Sequence, residues 1–193
     1  GVYSAENNIF EAETTFRRIL DIDSKSIQAH LELARILAVQ GPFDDAEAML
    51  KLAISIDPSN LNARFALFKF YLSEKKYNIA EETINKIIDD NPENADIYVV
   101  MGNFYLGQAK NDQAEEAYLK AIEIDPANLR NQIILAGFYE RTGQTEKTLA
   151  SYRKALEIEP DNIAIKNAIA RYYLNQDDFQ NAENQISLIL DKR

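Results

Sequence analysis

The chain of 193 residues has no cysteine, no tryptophan and one histidine, His30. Without cysteine it can form neither disulfides nor thiolate metal sites, and it has no cysteine nucleophile. A histidine without a second histidine or a cysteine cannot complete a zinc site, and no serine–histidine–acid triad is recognisable. Only six glycines are present, and none belongs to a phosphate-binding loop. These absences predict a protein that is not an enzyme and holds no metal or cofactor.

The charge is mostly of one sign, with 31 acidic and 21 basic residues and a net charge of -10. Such a chain repels phosphate backbones, so nucleic acid is not an expected partner. Adjacent acids such as Glu115 and Glu116 diverge around a helix and are interpreted as a solvated face. No apolar run is long enough to insert into a membrane. The start of the chain resembles neither a signal nor a transit peptide, which favours the cytoplasm.

Four of the five prolines lie 34 residues apart, at Pro58, Pro92, Pro126 and Pro160. A constant interval of this size indicates stacked copies of one small unit. With the prolines as register, a partial block at residues 1–26 precedes five blocks at residues 27–60, 61–94, 95–128, 129–162 and 163–193. Each block contains two apolar patterns of helical period. Proline is expected to end each second helix, because it forces its predecessor out of helical angles.

Side-chain size repeats at the same interval. Small residues recur in the second helix, at Ala12, Ala46, Ala80, Ala114, Thr148 and Ala182. Large residues recur in the first helix, at Tyr3, Leu37, Tyr71, Tyr105, Tyr139 and Tyr173. Small residues let two helices approach closely, and rings fill the gap to the next hairpin. Phe68 and Ile87 depart from the pattern and are expected to compensate each other by splaying their hairpin. The pattern predicts an all-α fold of helix hairpins stacked as a solenoid, with one array over residues 1–193.

Three segments carry a resemblance to a known family. They are FDDAEAMLKLAISIDP at 43–58, MGNFYLGQ at 101–108 and NDQAEEAYLKAIEIDP at 111–126. Their residues and spacing resemble those of the tetratricopeptide repeat family, and the likeness extends over essentially the whole chain. The resemblance implies an α-α superhelix whose first helices line a concave groove. It also implies a non-catalytic scaffold that binds other proteins.

By this resemblance, a few positions of the first helices face the groove: Gln28, Leu31, Arg35, Asn62, Phe65, Lys69, Asp96, Val99, Asn103, Arg130, Ile133, Asn167 and Arg171. They form an apolar row beside a polar row with three cations, whereas the acidic residues concentrate on the second helices. This composition favours an extended or helical peptide with apolar anchors and acidic groups. The alternative interpretation is a solvated face, where long cationic side chains cover apolar surface without binding anything.

The two ends suggest that the chain is a fragment of a longer array. Residues 1–5 are interpreted as the end of a truncated first helix, and residues 9–23 as a second helix. The last helix still carries Ile186, Leu188 and Leu190, as if another helix should cover it. Two alternatives to a peptide-binding scaffold therefore stay open. One is a structural protein that assembles with itself through its open ends, including the C-terminal helix. The other is the repeat region of an exported bacterial secretion or polysaccharide scaffold.

Overall fold

The computed structural model describes the backbone of residues 2–41 and 43–190, and the side chains of residues 8–41 and 43–190. Within these ranges the chain forms eleven α-helices and no strand. The helices are α1 (Val2–Ile22), α2 (Ile27–Gln40), α3 (Phe43–Ile56), α4 (Leu61–Ser73), α5 (Tyr77–Asp90), α6 (Ala95–Gly107), α7 (Asn111–Ile124), α8 (Leu129–Arg141), α9 (Thr145–Ile158), α10 (Ile163–Asn175) and α11 (Phe179–Leu190). The predicted all-α class is therefore confirmed.

Each first helix packs on the second helix that follows it, in the pairs α2–α3, α4–α5, α6–α7, α8–α9 and α10–α11. These pairs follow the predicted blocks, and they confirm the helical-repeat solenoid as the fold class. Contacts divide the chain into two compact units, Gly1–Pro92 and Glu93–Arg193. The single array expected for residues 1–193 is thus described here as two units of stacked hairpins. No helix among the described residues combines the length and apolarity needed to cross a bilayer.

The periodic prolines follow the ends of second helices, as predicted. The residues before three of them, Asn91, Asp125 and Glu159, have φ of -140°, -131° and -129° and lie outside the helical region. Two residues after each proline, an asparagine begins the next first helix. The N-cap residues are Ser26, Asn60, Asn94, Asn128 and Asn162, and the side chain of each accepts a backbone N–H of the first turn. Every block therefore carries its own helix stop and helix start.

The turn inside each hairpin contains one residue with left-handed backbone angles, again at an interval of 34 residues. These residues are Gly41, Lys75, Ala109, Gly143 and Asp177, with φ of 107°, 56°, 57°, 73° and 58°. The two glycines were predicted to relieve the backbone at helix ends. The other three carry a Cβ, which costs about 1–2 kcal/mol at such angles. The N–H of Lys76 donates to the carbonyl of Tyr71 at 2.9 Å, which closes α4 in spite of that cost.

The partial first block differs from the prediction. A truncated first helix and a separate second helix were expected, but α1 runs without a break from Val2 to Ile22. Only five residues were assigned to the truncated helix, which is too short to fold back and bury an apolar face. A continuous helix keeps the backbone hydrogen bonds that a turn would give up. The side chain of Tyr3 lies outside the described residues, so its predicted packing stays a prediction.

Burial follows the predicted alternation of small and large residues. Ala46, Ala80 and Ala114 have no exposed surface, and the rings of Tyr71 and Tyr139 are almost fully buried. Phe68 and Ile87 also lie in the core, both nearly without exposed surface. Their burial agrees with the expected compensation in volume, while the splaying of that hairpin stays a prediction.

Candidate functional site

In the first unit, the predicted groove residues share one face of α2 and one face of α4. They are Gln28, Leu31, Arg35, Asn62, Phe65 and Lys69. The four polar side chains are exposed, and the apolar pair Leu31 and Phe65 is half-buried. Residues three and four positions apart on a helix are neighbours, so each helix presents one continuous stripe. The apolar pair therefore serves partly as packing and partly as accessible surface.

The cations of this first stripe are not equivalent. Glu32 accepts hydrogen bonds from Gln28 Nε2 at 3.0 Å and from Arg35 Nε at 2.9 Å, so the charge of Arg35 is offset by a neighbour on its own helix. Lys69 is exposed and has no hydrogen bond or ion pair with any described residue. The uncompensated positive charge of the stripe is therefore that of Lys69.

In the second unit, the predicted residues lie on α6, α8 and α10. Asp96, Asn103, Arg130, Ile133, Asn167 and Arg171 are exposed. Val99 is not, because only 4% of its surface is accessible, and its assignment to the groove is wrong. Leucine and phenylalanine occupy the equivalent positions of α2 and α4. The shorter valine does not reach past its neighbours, so it acts as packing.

The charges of the second stripe are also partly paired. Arg130 Nη1 lies 3.4 Å from Asp96 Oδ1, but both side chains are about 70% exposed, so this ion pair contributes little to stability. Asn103 Oδ1 accepts the O–H of Tyr118 at 2.8 Å, which holds the amide in place. Arg171 is exposed and forms no hydrogen bond or ion pair among the described residues. It is the counterpart of Lys69 in this unit.

The stripes extend four residues beyond the predicted positions, at Val39 on α2 and Arg141 on α8. Val39 is 70% exposed, and Arg141 is exposed without an ion pair to any described residue. The signal was present in the sequence, because these two positions lie one helical turn after the polar row of their helices. Arg141 adds a further cation to the second unit's stripe.

The tyrosines tie each first helix to the second helix before it. The O–H of Tyr71 on α4 donates to Glu47 on α3 at 2.8 Å, and Lys51 Nζ approaches the same carboxylate at 2.6 Å. The hydrogen bond from Lys51 is the largest influence that holds the pKa of Glu47 below its usual value. Burial, together with the bond to Glu47, raises the pKa of Tyr71 to about 12. The arrangement fixes α4 on α3 and so fixes the stripe of α4.

The second unit repeats this tie. Tyr139 on α8 donates to Glu115 on α7 at 2.7 Å, and Lys147 Nζ lies 2.7 Å from the same oxygen. Burial favours a raised pKa at Glu115, but the hydrogen bonds from Lys147 and Tyr139 outweigh it and the pKa is lowered. Glu116 is exposed, as predicted, whereas Glu115 is half-buried and bonded. The interpretation of Glu115 as part of a solvated face is therefore wrong.

The remaining chemistry of the described residues is structural. His30 is buried, and its Nε2 lies 3.0 Å from the carbonyl oxygen of Ser24. Since a carbonyl only accepts, Nε2 carries a proton and donates it, which ties the loop before α2 to that helix. No group of three or more histidine, aspartate or glutamate side chains in the described ranges is placed to hold a metal ion.

Comparisons with known proteins agree with this geometry. Family models described as tetratricopeptide repeat match residues 40–103, 95–128 and 129–162. A crystal structure of MamA is 25% identical, with a TM-score of 0.58, over 81% of this chain and 92% of that one. PilF of Pseudomonas aeruginosa is 19% identical, with a TM-score of 0.62, over 95% and 83%. YrrB, described as a TPR protein with an unusual peptide-binding site, is 15% identical, with a TM-score of 0.54, over 91% of each chain. No curated protein sequence matches the chain.

Proposed function

Because the chain belongs to the tetratricopeptide repeat family, whose members act as protein-interaction scaffolds, we propose that its first-helix stripes bind a peptide of a partner protein. The bound peptide is extended or helical, and its binding brings the partner into a multiprotein complex. The proposed role is non-catalytic. One observation carries it: Lys69 and Arg171 are exposed cations on first helices, and neither pairs with a described residue.

These cations matter because the chain as a whole is acidic, with a net charge of -10. An acidic protein repels acidic peptides at long range, so unpaired cations give a local surface where such a peptide is attracted. The half-buried Leu31 and Phe65 and the exposed Ile133 lie one helical turn before the polar row. They offer apolar contact next to the charges, which suits a peptide with apolar anchors and acidic groups. The peptide-binding site named for YrrB supports the proposal by analogy only.

The proposal is tested by reversing three stripe charges at once, with Arg35→Glu, Lys69→Glu and Arg171→Glu. Partners are first captured with the unchanged chain, and the affinity of each captured partner is then measured by calorimetry. We expect the triple variant to bind the partner at least about tenfold more weakly, since charge-assisted contacts are replaced by repulsion. Circular dichroism should show unchanged helix content, because all three side chains are exposed.

The matched control reverses three exposed cations of second helices, with Arg18→Glu, Lys86→Glu and Arg153→Glu. The net charge changes by the same amount, but the first-helix stripes stay intact. We expect this control to bind within about twofold of the unchanged chain at physiological salt, where exposed charges are screened. Equal losses in the two variants would mean that overall charge, not the stripe, governs binding. Full binding by the first variant contradicts the proposal.

Self-association is the second candidate, and α11 is the feature that favours it. Only Ala182 is buried among the described residues of α11. Phe179, Leu188 and Leu190 are 65%, 55% and 58% exposed. Large exposed apolar side chains on one helix are typical of an interaction surface. A second copy of the chain could cover them, and the protein would then act as a self-assembling structural element.

Sedimentation velocity over a hundredfold range of concentration distinguishes this candidate. Self-association through α11 predicts a sedimentation coefficient that rises with concentration, and a Leu188→Glu variant that stays monomeric. Since Leu188 is more than half exposed, the substitution should not disturb the fold. A monomer at every concentration rules out self-assembly and leaves the peptide-binding proposal unaffected.

A further inference from the structure

A cavity of about 200 Å³ lies between α7, α8 and α9 of the second unit. Its apolar walls include Leu119, Leu135 and the ring of Tyr139. Successive residues of a helix are rotated by about 100°, which places Leu135 and Tyr139 roughly opposite Arg130 and Ile133 around α8. The cavity therefore lies on the other side of α8 from the peptide-binding stripe, and the proposed function does not use it.

One polar side chain in this cavity lacks a partner. Gln132 lines it, is only 5% exposed, and its Oε1 has no hydrogen-bond donor among the described residues. The equivalent residues of three other blocks are paired: His30 with Ser24, Arg64 with Asp90, and Lys166 with Asp161. A buried acceptor without a donor is unfavourable and is uncommon in native proteins. Gln132 is thus an acceptor inside a cavity that has room for a donor.

The rim of the cavity is positive. Lys147 lies on it but is already bonded to Glu115, at 2.7 Å. Lys154 also lies on the rim, is exposed, and has no hydrogen bond or ion pair with a described residue. Lys154 can therefore receive a carboxylate at the mouth while an apolar group with a donor occupies the interior.

We propose that this cavity binds a tyrosine side chain of a partner protein, with an acidic group beside that tyrosine on the partner. Apolar cavities of about 150 Å³ hold benzene, so a cavity of about 200 Å³ has room for a phenol ring. The ring contacts Leu119, Leu135 and Tyr139, and its O–H donates to Gln132 Oε1. The neighbouring carboxylate accepts a hydrogen bond from Lys154. The chain then has a second contact surface, independent of the first-helix stripes.

The same chain contains an internal comparison. A cavity two blocks earlier, between α3, α4 and α5, is lined at equivalent positions and has a volume of about 350 Å³. There Arg64 takes the place of Gln132 and is paired with Asp90. Glu82 takes the place of Ala150 at the rim, which adds a negative charge. This cavity has no unpaired acceptor, and it should not select tyrosine.

The probes for the test are N-acetyl-tyrosinamide and N-acetyl-phenylalaninamide, which differ by one hydroxyl. Each is titrated into the full ¹⁵N-labelled chain, and amide shifts are followed by NMR. We expect the tyrosine probe to shift amides around Gln132 and Ser151 with a dissociation constant of about 1 mM, typical of one small anchor. The phenylalanine probe should bind about fivefold or more weakly, since it leaves Gln132 without a donor. Equal affinities, no shifts, or shifts only between α3 and α5 would overturn the proposal.

Two substitutions assign the contacts. Gln132→Met keeps the length of the side chain but removes the acceptor, so both probes should bind equally. Lys154→Met should weaken N-acetyl-tyrosine, which carries a carboxylate, by about threefold or more, but leave N-acetyl-tyrosinamide unchanged. Lys86→Met, at the equivalent position of the first unit, is the matched control and should change neither affinity. Helical circular dichroism confirms folding, and a persisting preference for tyrosine in Gln132→Met contradicts the assignment.

Discussion

Replacing Gly102 by alanine should destabilise the chain by about 1–3 kcal/mol, although alanine is the better helix former. A Cβ built at Gly102 on α6 would lie 2.5 Å from Cε1 and 2.7 Å from Cδ1 of Tyr118 on α7. Tyr118 has 2% exposed surface, packs against Phe138 with ring centroids 5.4 Å apart, and donates its O–H to Asn103. The ring must therefore move, and its packing and its hydrogen bond are disturbed together.

The next hairpin shows where the ring would have to go. Tyr152 packs near Ala136 instead of a glycine, and its O–H reaches Glu140 at 3.4 Å. The residue of α6 equivalent to Glu140 is Leu106, which offers no acceptor. If Tyr118 adopted the position of Tyr152, it would therefore lose its hydrogen bond. The cost of the substitution combines this loss with the change in packing.

Gly137→Ala on α8 is the matched control. No side chain lies within 4 Å of a Cβ built there, so alanine should stabilise the chain by about 0.5–1 kcal/mol through helix propensity. Both variants are compared by chemical denaturation, and the double variant Gly102→Ala with Tyr118→Leu should recover part of the loss. Leu50 and Ala34 form this combination in the first unit, where both are buried. If Gly102→Ala is stabilising like the control, the close approach of α6 and α7 is wrong.

The fold should unfold in base as four tyrosines ionise. Burial is the main reason that the pKa values of Tyr71 and Tyr118 rise from 10.0 to about 12 and that those of Tyr139 and Tyr152 are also raised. Because these values lie above that of a free tyrosine, the stabilisation is complete below pH 10 and is lost as the pH rises from 10 towards 12. We expect the melting temperature to fall by roughly 10 °C or more across this window.

The measurement combines absorbance at 295 nm, which reports tyrosinate, with circular dichroism at 222 nm. Four tyrosines should ionise only as the helical signal disappears. The double variant Tyr71→Phe with Tyr139→Phe should be less stable at pH 7, because Glu47 and Glu115 lose a donor. Its stability should also depend less on pH above 10. Complete ionisation of all ten tyrosines near pH 10 with intact helices would falsify this account.

Much of the fold could be predicted from the sequence because its strongest signals are local. Proline at Pro126 and Pro160 acts on the residue before it, so the ends of α7 and α9 follow from chemistry within two residues. The burial of Ala46 and Ala114 also follows from the repeat, because a small residue at a fixed interval has one favourable place in a hairpin. The stripe residues were located by register alone, and their role in binding stays a proposal.

What sequence reasoning missed depends on distances between elements. The burial of Val99 depends on how far neighbouring side chains extend, and the bond between Tyr139 and Glu115 depends on how closely α8 approaches α7. Lys75 and Ala109 adopt left-handed angles because the hairpin must turn there, against their own preference. The N-cap asparagines such as Asn60 were visible at the same interval as the prolines. They could have been found from capping chemistry alone.

The capping residues have a consequence for how such a chain can change in evolution. Each block contains the proline that ends one helix and, two residues later, the side chain that starts the next, as Pro126 and Asn128 do. A gene duplication or loss of exactly 34 residues therefore removes or adds a matched stop and start, whatever position it begins at. The local instructions for folding survive such an event. The length of the scaffold can thus vary by whole blocks, while the residues of its stripes diverge independently.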